Sequence, residues 1–180
     1  MTSPNGKVRR IGITMRVVRA KNYNEPRDAL ARDWATFLSV ATIGIDWLAV
    51  PNIGERVIEY AKSWGLEGFI LTGGEDLGIS TLRDKTERMI LEFAVSHKLP
   101  VFGVCRGFQM LQTFFNGKTQ PCSQDEHVST RHDVRLLDDA GTITNVNSYH
   151  STGIPIDGLA RCLKPLAVTL DRKLVEAAGH

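Results

Sequence analysis

The chain predicts an α/β fold of three layers: a mostly parallel central sheet flanked by helices, with antiparallel strands added in the C-terminal third. Three observations carry that expectation. Short apolar runs alternate with segments of helical spacing through the first two thirds of the chain. Those runs stop at Pro or Gly, as in Val50-Pro51 and Leu71-Thr72-Gly73-Gly74. After Gly117 the alternation ends, and short strand-like runs follow tight turns such as Asp138-Asp139-Ala140-Gly141. Strands alternating with helices imply right-handed βαβ crossovers and a sheet covered on both faces.

In chain order, Lys7 to Met15 reads as the first strand. Pro26 to Leu38 places Leu30, Trp34, Phe37 and Leu38 at helical spacing, with Pro26 suited to a first turn. Ile45 to Val50 is a second strand, Gly54 to Trp64 a helix, and Gly68 to Leu71 a short buried strand. Ser80 is placed to cap a helix whose apolar face is Leu82, Met89, Ile90, Phe93 and Ala94. Leu99 to Val104 is the next strand, and Arg106 to Asn116 the next helix, closed by Gly117. His127 to Leu137, Gly141 to Val146, Pro165 to Leu170 and Lys173 to Ala177 are the expected antiparallel strands.

With 180 residues the chain is expected to form a single domain, 1–180, large enough for a continuous core. A formal charge of +2, with no long basic run, argues against nucleic acid or an acidic membrane surface as partner. After Val8-Arg9-Arg10 only IGITM precedes Arg16, too short for a signal-peptide core, and no segment approaches membrane-spanning length. Cys105, Cys122 and Cys162 are odd in number and lack CxxC spacing, which suits reduced thiols in a cytoplasmic protein. The Cys and His residues show no metal-ligand spacing, so neither a metal nor a cofactor is expected.

Two motifs carry chemistry. In Gly103-Val104-Cys105-Arg106-Gly107 a cysteine stands between an apolar run and a helix, with glycines two places away on each side. A nucleophile lifted on a strand-to-helix turn needs small neighbours there, and the helix amides are expected to lower the thiol pKa. The competing reading is a small buried hydrophobe. One βα unit earlier, Leu71-Thr72-Gly73-Gly74-Glu75-Asp76 would open its loop on the same sheet edge. Its bare backbone, with the amide of Arg106, could form an oxyanion hole.

LTGGEDLG, PVFGVCRGFQMLQTFFNG and NSYHSTGI together resemble the class I glutamine amidotransferases, flavodoxin-like in plan. The resemblance runs from Ile11 to the last residue and is closest to the branch that hydrolyses γ-glutamyl amides. It implies a Cys–His–Glu triad that attacks a γ-glutamyl carbonyl and passes through a thioester. It assigns Cys105 as nucleophile and Gly74 and Arg106 as oxyanion donors. Gly73 and Gln109 help hold the substrate, and Ser148, Tyr149 and His150 line the glutamyl pocket. Arg83-Asp84 with Glu87 also resembles a family feature; a solvated helix start is the competing reading. Glu75 and Asp76 depart from the commoner Gly-Gly-Asn-Asp version, which leaves the role of Glu75 open. YNEPRDALARDWATFL is similar to the early helix of members linked to surface polysaccharides, including hydrolases of γ-glutamyl-linked CDP intermediates. Arg27 and Arg32 would then face a phosphorylated substrate, against the alternative of a charged outer helix face.

The resemblance places the triad histidine and glutamate in a later His-Pro-Glu strand, yet none of the seven prolines follows a histidine. The chain therefore reads as lacking that C-terminal strand, with its triad incomplete. Of the five histidines, His97 ends a helix, His127 and His132 read as sheet-surface residues, and His180 is terminal and expected to be disordered. His150 is the polar candidate nearest the site. Three functions follow: hydrolysis of a small-molecule γ-glutamyl amide, a glutaminase subunit delivering ammonia to a synthase partner, or a γ-glutamyl-binding module without the base. A homo-oligomer is compatible with each.

Overall fold

A computed structural model describes residues 9–42 and 44–180. Lys7 and Val8 of the expected first strand lie outside the described residues. The chain divides into two compact units, Met1–Met110 and Leu111–His180.

The first unit contains β1 (Arg9–Thr14), β2 (Arg16–Arg19), β3 (Pro26–Ala29), α1 (Asp33–Ala41), β4 (Ile45–Val50), α2 (Val57–Trp64), β5 (Phe69–Leu71), α3 (Thr81–His97), β6 (Val101–Gly103) and the start of α4 (Arg106–Phe114). Its sheet is parallel, in the order β4-β1-β5-β6. Ile13 and Ile70 are register partners and pack with Leu38 of α1, with Leu30, Trp34 and Trp47 around them. Side chains alternate along a strand. Phe69, the neighbour of Ile70, therefore turns to the other face and meets Phe93 of α3 edge-on at 6.4 Å. Helices thus cover both faces, as strand–helix alternation predicted.

Two expectations in this unit are corrected. Pro26 to Ala29 is not the start of a helix but β3, an antiparallel hairpin arm paired with β2 from Arg16↔Ala29 to Arg19↔Pro26. The pairing satisfies backbone that a helix would otherwise have to bond. Asp28 anchors the arm by accepting from the Asn52 amide at 2.8 Å and from Asn52 Nδ2 at 2.6 Å. The helical spacing is realised only from Asp33 onward. Arg27 consequently lies on a strand, bonded to Glu25 and Tyr23. Ser80 does cap α3, accepting from the Arg83 amide at 3.4 Å. The helix buries Arg83, Thr86 and Glu87 with Ile90, Leu91 and Ala94, while Leu82 is exposed.

The second unit continues with β7 (Gln120–Pro121), α5 (Gln124–His127), β8 (Val128–Leu136), β9 (Ile143–Tyr149), β10 (Thr152–Gly153), β11 (Lys164–Thr169) and β12 (Val175–Gly179). Its main sheet is antiparallel, in the order β12-β11-β8-β9, as the change of pattern after Gly117 predicted. The Asp138–Gly141 turn closes with a 3.1 Å backbone bond, Gly141 at φ 59°. Past α4 the left-handed residue is Asn116, at φ 60°, in place of Gly117. Gly117 instead leaves room for the Gln112 side chain, which donates to the carbonyls of Lys118 and Gly158 and accepts from the Ala160 amide. His180 is not loose: its ring stacks on Phe115 at 6.1 Å.

Among the described residues no helix is long and apolar enough to cross a membrane.

Candidate active site

The first unit gathers Cys105, Gly73, Gly74, Arg106 and Gln109 around one strand-to-helix turn. Beyond β6 the ladder runs one residue further, the Val104 amide donating to the Leu71 carbonyl at 2.9 Å. Cys105 then takes φ 53°, a left-handed conformation rare for a residue with a side chain. The Gly107 amide donates to Val104 and the Gln109 amide to Cys105, which launches α4. Gly107 is required by proximity, because a Cβ there would stand 2.1 Å from the Leu71 carbonyl oxygen. Gly73 flanks the thiol; its Cβ position is 3.8 Å from Cys105 Sγ. Gly74, at φ 148°, leaves space that Arg83 and Arg16 line.

Cys105 reaches solvent, yet its pKa is not lowered as the sequence suggested. Desolvation by the surrounding protein pushes the thiol up, and the Asp76 charge adds to the effect. The Arg106 amide, the expected oxyanion donor, bonds the sulfur and pulls the other way, as do the charges of Arg83 and Arg106. Burial outweighs the helix amides.

Beneath the turn lies a charged network that resolves the open reading of Arg83, Asp84 and Glu87. Arg83 is fully buried and donates through Nε to Glu87 Oε1 at 3.0 Å and through Nη1 to Glu75 Oε2 at 2.9 Å. Its Nη2 donates to the Thr72 and Gly73 carbonyls at 2.8 and 3.1 Å. The Arg106 side chain, 1% exposed, bonds Glu87 and Asp84. Thr14 Oγ1 donates to Glu87 at 2.9 Å and accepts from the Thr72 amide at 3.1 Å. Glu75, whose role was open, accepts from Arg83 and from the Val17 amide at 3.2 Å. The sequence placed Thr14 in the first strand and Thr72 in the glycine loop without giving either side chain a role, because a threonine at a strand end carries no signal of its own.

The other predicted residues belong to the second unit. Ser148 is 2% exposed and donates its hydroxyl to the His127 carbonyl at 2.6 Å; Tyr149 is exposed. His150 is half-buried, and burial followed by the His127 and His132 charges pushes its pKa down. His127 is no sheet-surface residue: it ends α5, buried, with its ring 4.9 Å from that of His150.

The chain is 30% identical over 176 residues to the gamma-glutamyl-CDP-amidate hydrolase of Campylobacter jejuni subsp. jejuni serotype O:2, covering 94% of this chain and 82% of that one. It is 30% identical over 101 residues to a glutamine-hydrolysing GMP synthase subunit of Methanococcus vannielii, a stretch of 56% of this chain and about half, 49%, of that protein. The crystal structure of a glutamine amidotransferase from Thermotoga maritima superposes with a TM-score of 0.66 at 12% identity, over 97% of this chain and 72% of that one. Residues 11–180 match the Peptidase C26 family, and the chain belongs to that family, of class I glutamine amidotransferase-like proteins.

Proposed function

We propose that this protein hydrolyses a γ-glutamyl amide through Cys105. The observation that carries the reading is the left-handed Cys105 at the head of α4, flanked by Gly73 and bonded by the Arg106 amide. In the proposed reaction Sγ attacks the γ-carbonyl carbon while its proton passes to a general base. The Gly74 and Arg106 amides hold the oxyanion, and the amine leaves carrying a proton. Water then cleaves the thioester and releases free glutamate and the thiol. A raised thiol pKa makes the base necessary, since little thiolate forms unaided near neutral pH. Gln109 is proposed to help hold the glutamyl group.

A cavity of about 600 Å³ lined by Val17, Arg19, Asp28, Asn52, Glu75 and Ser80 is our candidate for the leaving amine. Glu75 Oε1 is buried there without a hydrogen-bond partner, an acceptor suited to a donor on that group. The likeness to a gamma-glutamyl-CDP-amidate hydrolase makes a nucleotide-bearing amine the first substrate to try. A cytoplasmic location suits such a substrate.

A second reading, a glutaminase delivering ammonia to a synthase, draws on the likeness to a glutamine-hydrolysing GMP synthase subunit. Turnover of γ-glutamyl-p-nitroanilide and of glutamine by wild type and Cys105→Ala tests both. Loss of turnover in the variant supports the nucleophile, and equal rates overturn it. Glutamine turnover that rises only with an added synthase favours the second reading.

A further inference from the structure

The second unit holds a cluster of four titratable side chains that its sheet and α5 bring together from distant positions. His127 ends α5, His132 lies on β8, His150 follows β9 and Glu176 lies on β12. The β8–β9 pairing sets Val128 opposite Tyr149, and β8 and β12 both pair with β11. The His127 carbonyl accepts from the His150 amide at 3.1 Å and from the Ser148 hydroxyl at 2.6 Å, which locks two of the histidines to one point of backbone.

Four polar atoms of this cluster make no hydrogen bond. Nδ1 of His127, Nε2 of His132, Nδ1 of His150 and Oε1 of Glu176 are all buried without a hydrogen bond. Four such atoms at one place are unusual, because buried polar groups are ordinarily satisfied. The rings stand close: the His127 centroid is 5.0 Å from that of His132 and 4.9 Å from that of His150. Glu176 Oε2 is 3.7 Å from His132 Nε2 and 3.8 Å from His150 Nε2, beyond hydrogen-bond range. One ligand atom from each of His127, His150 and Glu176 lies within 4.8 Å of the other two.

We propose that His127, His150 and Glu176 form a site for one divalent transition-metal ion of the zinc class, with His132 within reach as the fourth ligand. Three imidazoles and one carboxylate are the donor set such an ion takes, at bond lengths of about 2.0–2.2 Å in tetrahedral geometry. Ligand atoms around such an ion sit about 3.4 Å apart, so small ring rotations complete the site. A cavity of about 560 Å³ lined by Cys122, His127 and His132 gives an entry path. The sequence carried only a partial sign of the site: His127 and His132 have the H-x4-H spacing that zinc motifs use, but His150 and Glu176 lie far along the chain.

The site does not rest on Cys105 chemistry, so its test reads metal binding and not turnover. Chelator-stripped protein is titrated with zinc chloride by calorimetry, alongside Cys105→Ala, Cys122→Ser, His127→Gln and Glu176→Gln. One equivalent bound by wild type and by both cysteine variants, with at least tenfold weaker binding in Glu176→Gln and His127→Gln, is the expected result. Absence of saturable one-to-one binding overturns the proposal, as does binding indifferent to Glu176→Gln. Cobalt(II) spectra supply a second readout, expected to lack a thiolate charge-transfer band; a band that Cys122→Ser removes overturns the ligand set. Should His127→Gln fail to fold, Glu176→Gln, which keeps the side-chain shape, decides: zinc is expected to raise the Tm of wild type and not of this variant, and an equal rise in both overturns the site.

Discussion

Arg106 and Glu87 are bonded to each other out of contact with solvent, so the residue after the elbow cysteine is anchored to the helix that follows the glycine loop. Glu87 also holds Arg83, whose other nitrogens grip the Thr72 and Gly73 carbonyls. One carboxylate therefore ties the loop and the turn to a common point. Glu87→Gln leaves two buried guanidinium groups short of countercharge, and removing one partner from such a network costs about 3–5 kcal/mol. Urea unfolding should show that loss as a lower midpoint. An unfolding free energy within about 0.5 kcal/mol of wild type would mean that the network relaxes without Glu87.

Gly73→Ala separates fit from chemistry. Its methyl group would meet Cys105 at 3.5 Å from Cβ and 3.8 Å from Sγ, ordinary contact distances, so the fold should be kept. The same methyl group would stand where a substrate carbonyl must approach the sulfur. Turnover of γ-glutamyl-p-nitroanilide should fall more than tenfold, about 1.4 kcal/mol or more of barrier, with little change in Tm. Gly107→Ala should behave oppositely, destabilising the protein because its methyl group meets the Leu71 backbone.

The Cys105 thiol, pushed up by desolvation and by Asp76, should alkylate slowly at neutral pH, with a midpoint above that of a free cysteine. Asp76→Asn removes the like charge and should move the midpoint to lower pH. Iodoacetamide labelling across pH, read by mass spectrometry, checks both; a midpoint below that of free cysteine contradicts them.

Acid should weaken the second unit. The His150 pKa is held below its ordinary 6.5 when folded, so as pH falls through 6.5 the unfolded chain binds a proton that the folded one resists. Stability is therefore present above that value and is lost as pH falls toward the depressed folded pKa. Glu176, raised from 4.5, acts in the opposite sense: it costs stability as pH rises above 4.5. Metal-free unfolding measured from about pH 7.5 to 6, the range spanning the ordinary histidine pKa, should show the histidine effect, and His150→Gln should flatten it. An unchanged slope in the variant would assign the effect elsewhere.

The elbow was legible because its signals are local. A buried run, two glycines around a cysteine and a helical pattern follow one another directly, and each acts through its own backbone. Ser80 was legible for the same reason. The hairpin of β2 and β3 was not, because Leu30, Trp34, Phe37 and Leu38 announce a helix while the strand at Pro26–Ala29 depends on pairing with a separate segment, Arg16–Arg19. Arg83 and Glu87 look like an ordinary i,i+4 pair on a solvated helix start; only Arg106, Glu75 and Thr14 arriving from other elements make that pair a buried junction.

Periodicity and short motifs thus account for the α/β plan, the antiparallel turn of the C-terminal third and the position of Cys105. These are consequences of backbone geometry over a few residues. Folding alone settled the direction of the thiol pKa, the buried junction beneath the glycine loop and the meeting of His127, His132, His150 and Glu176. Desolvation and charge proximity are properties of neighbours in space, and those neighbours come from strands and helices far apart along the chain.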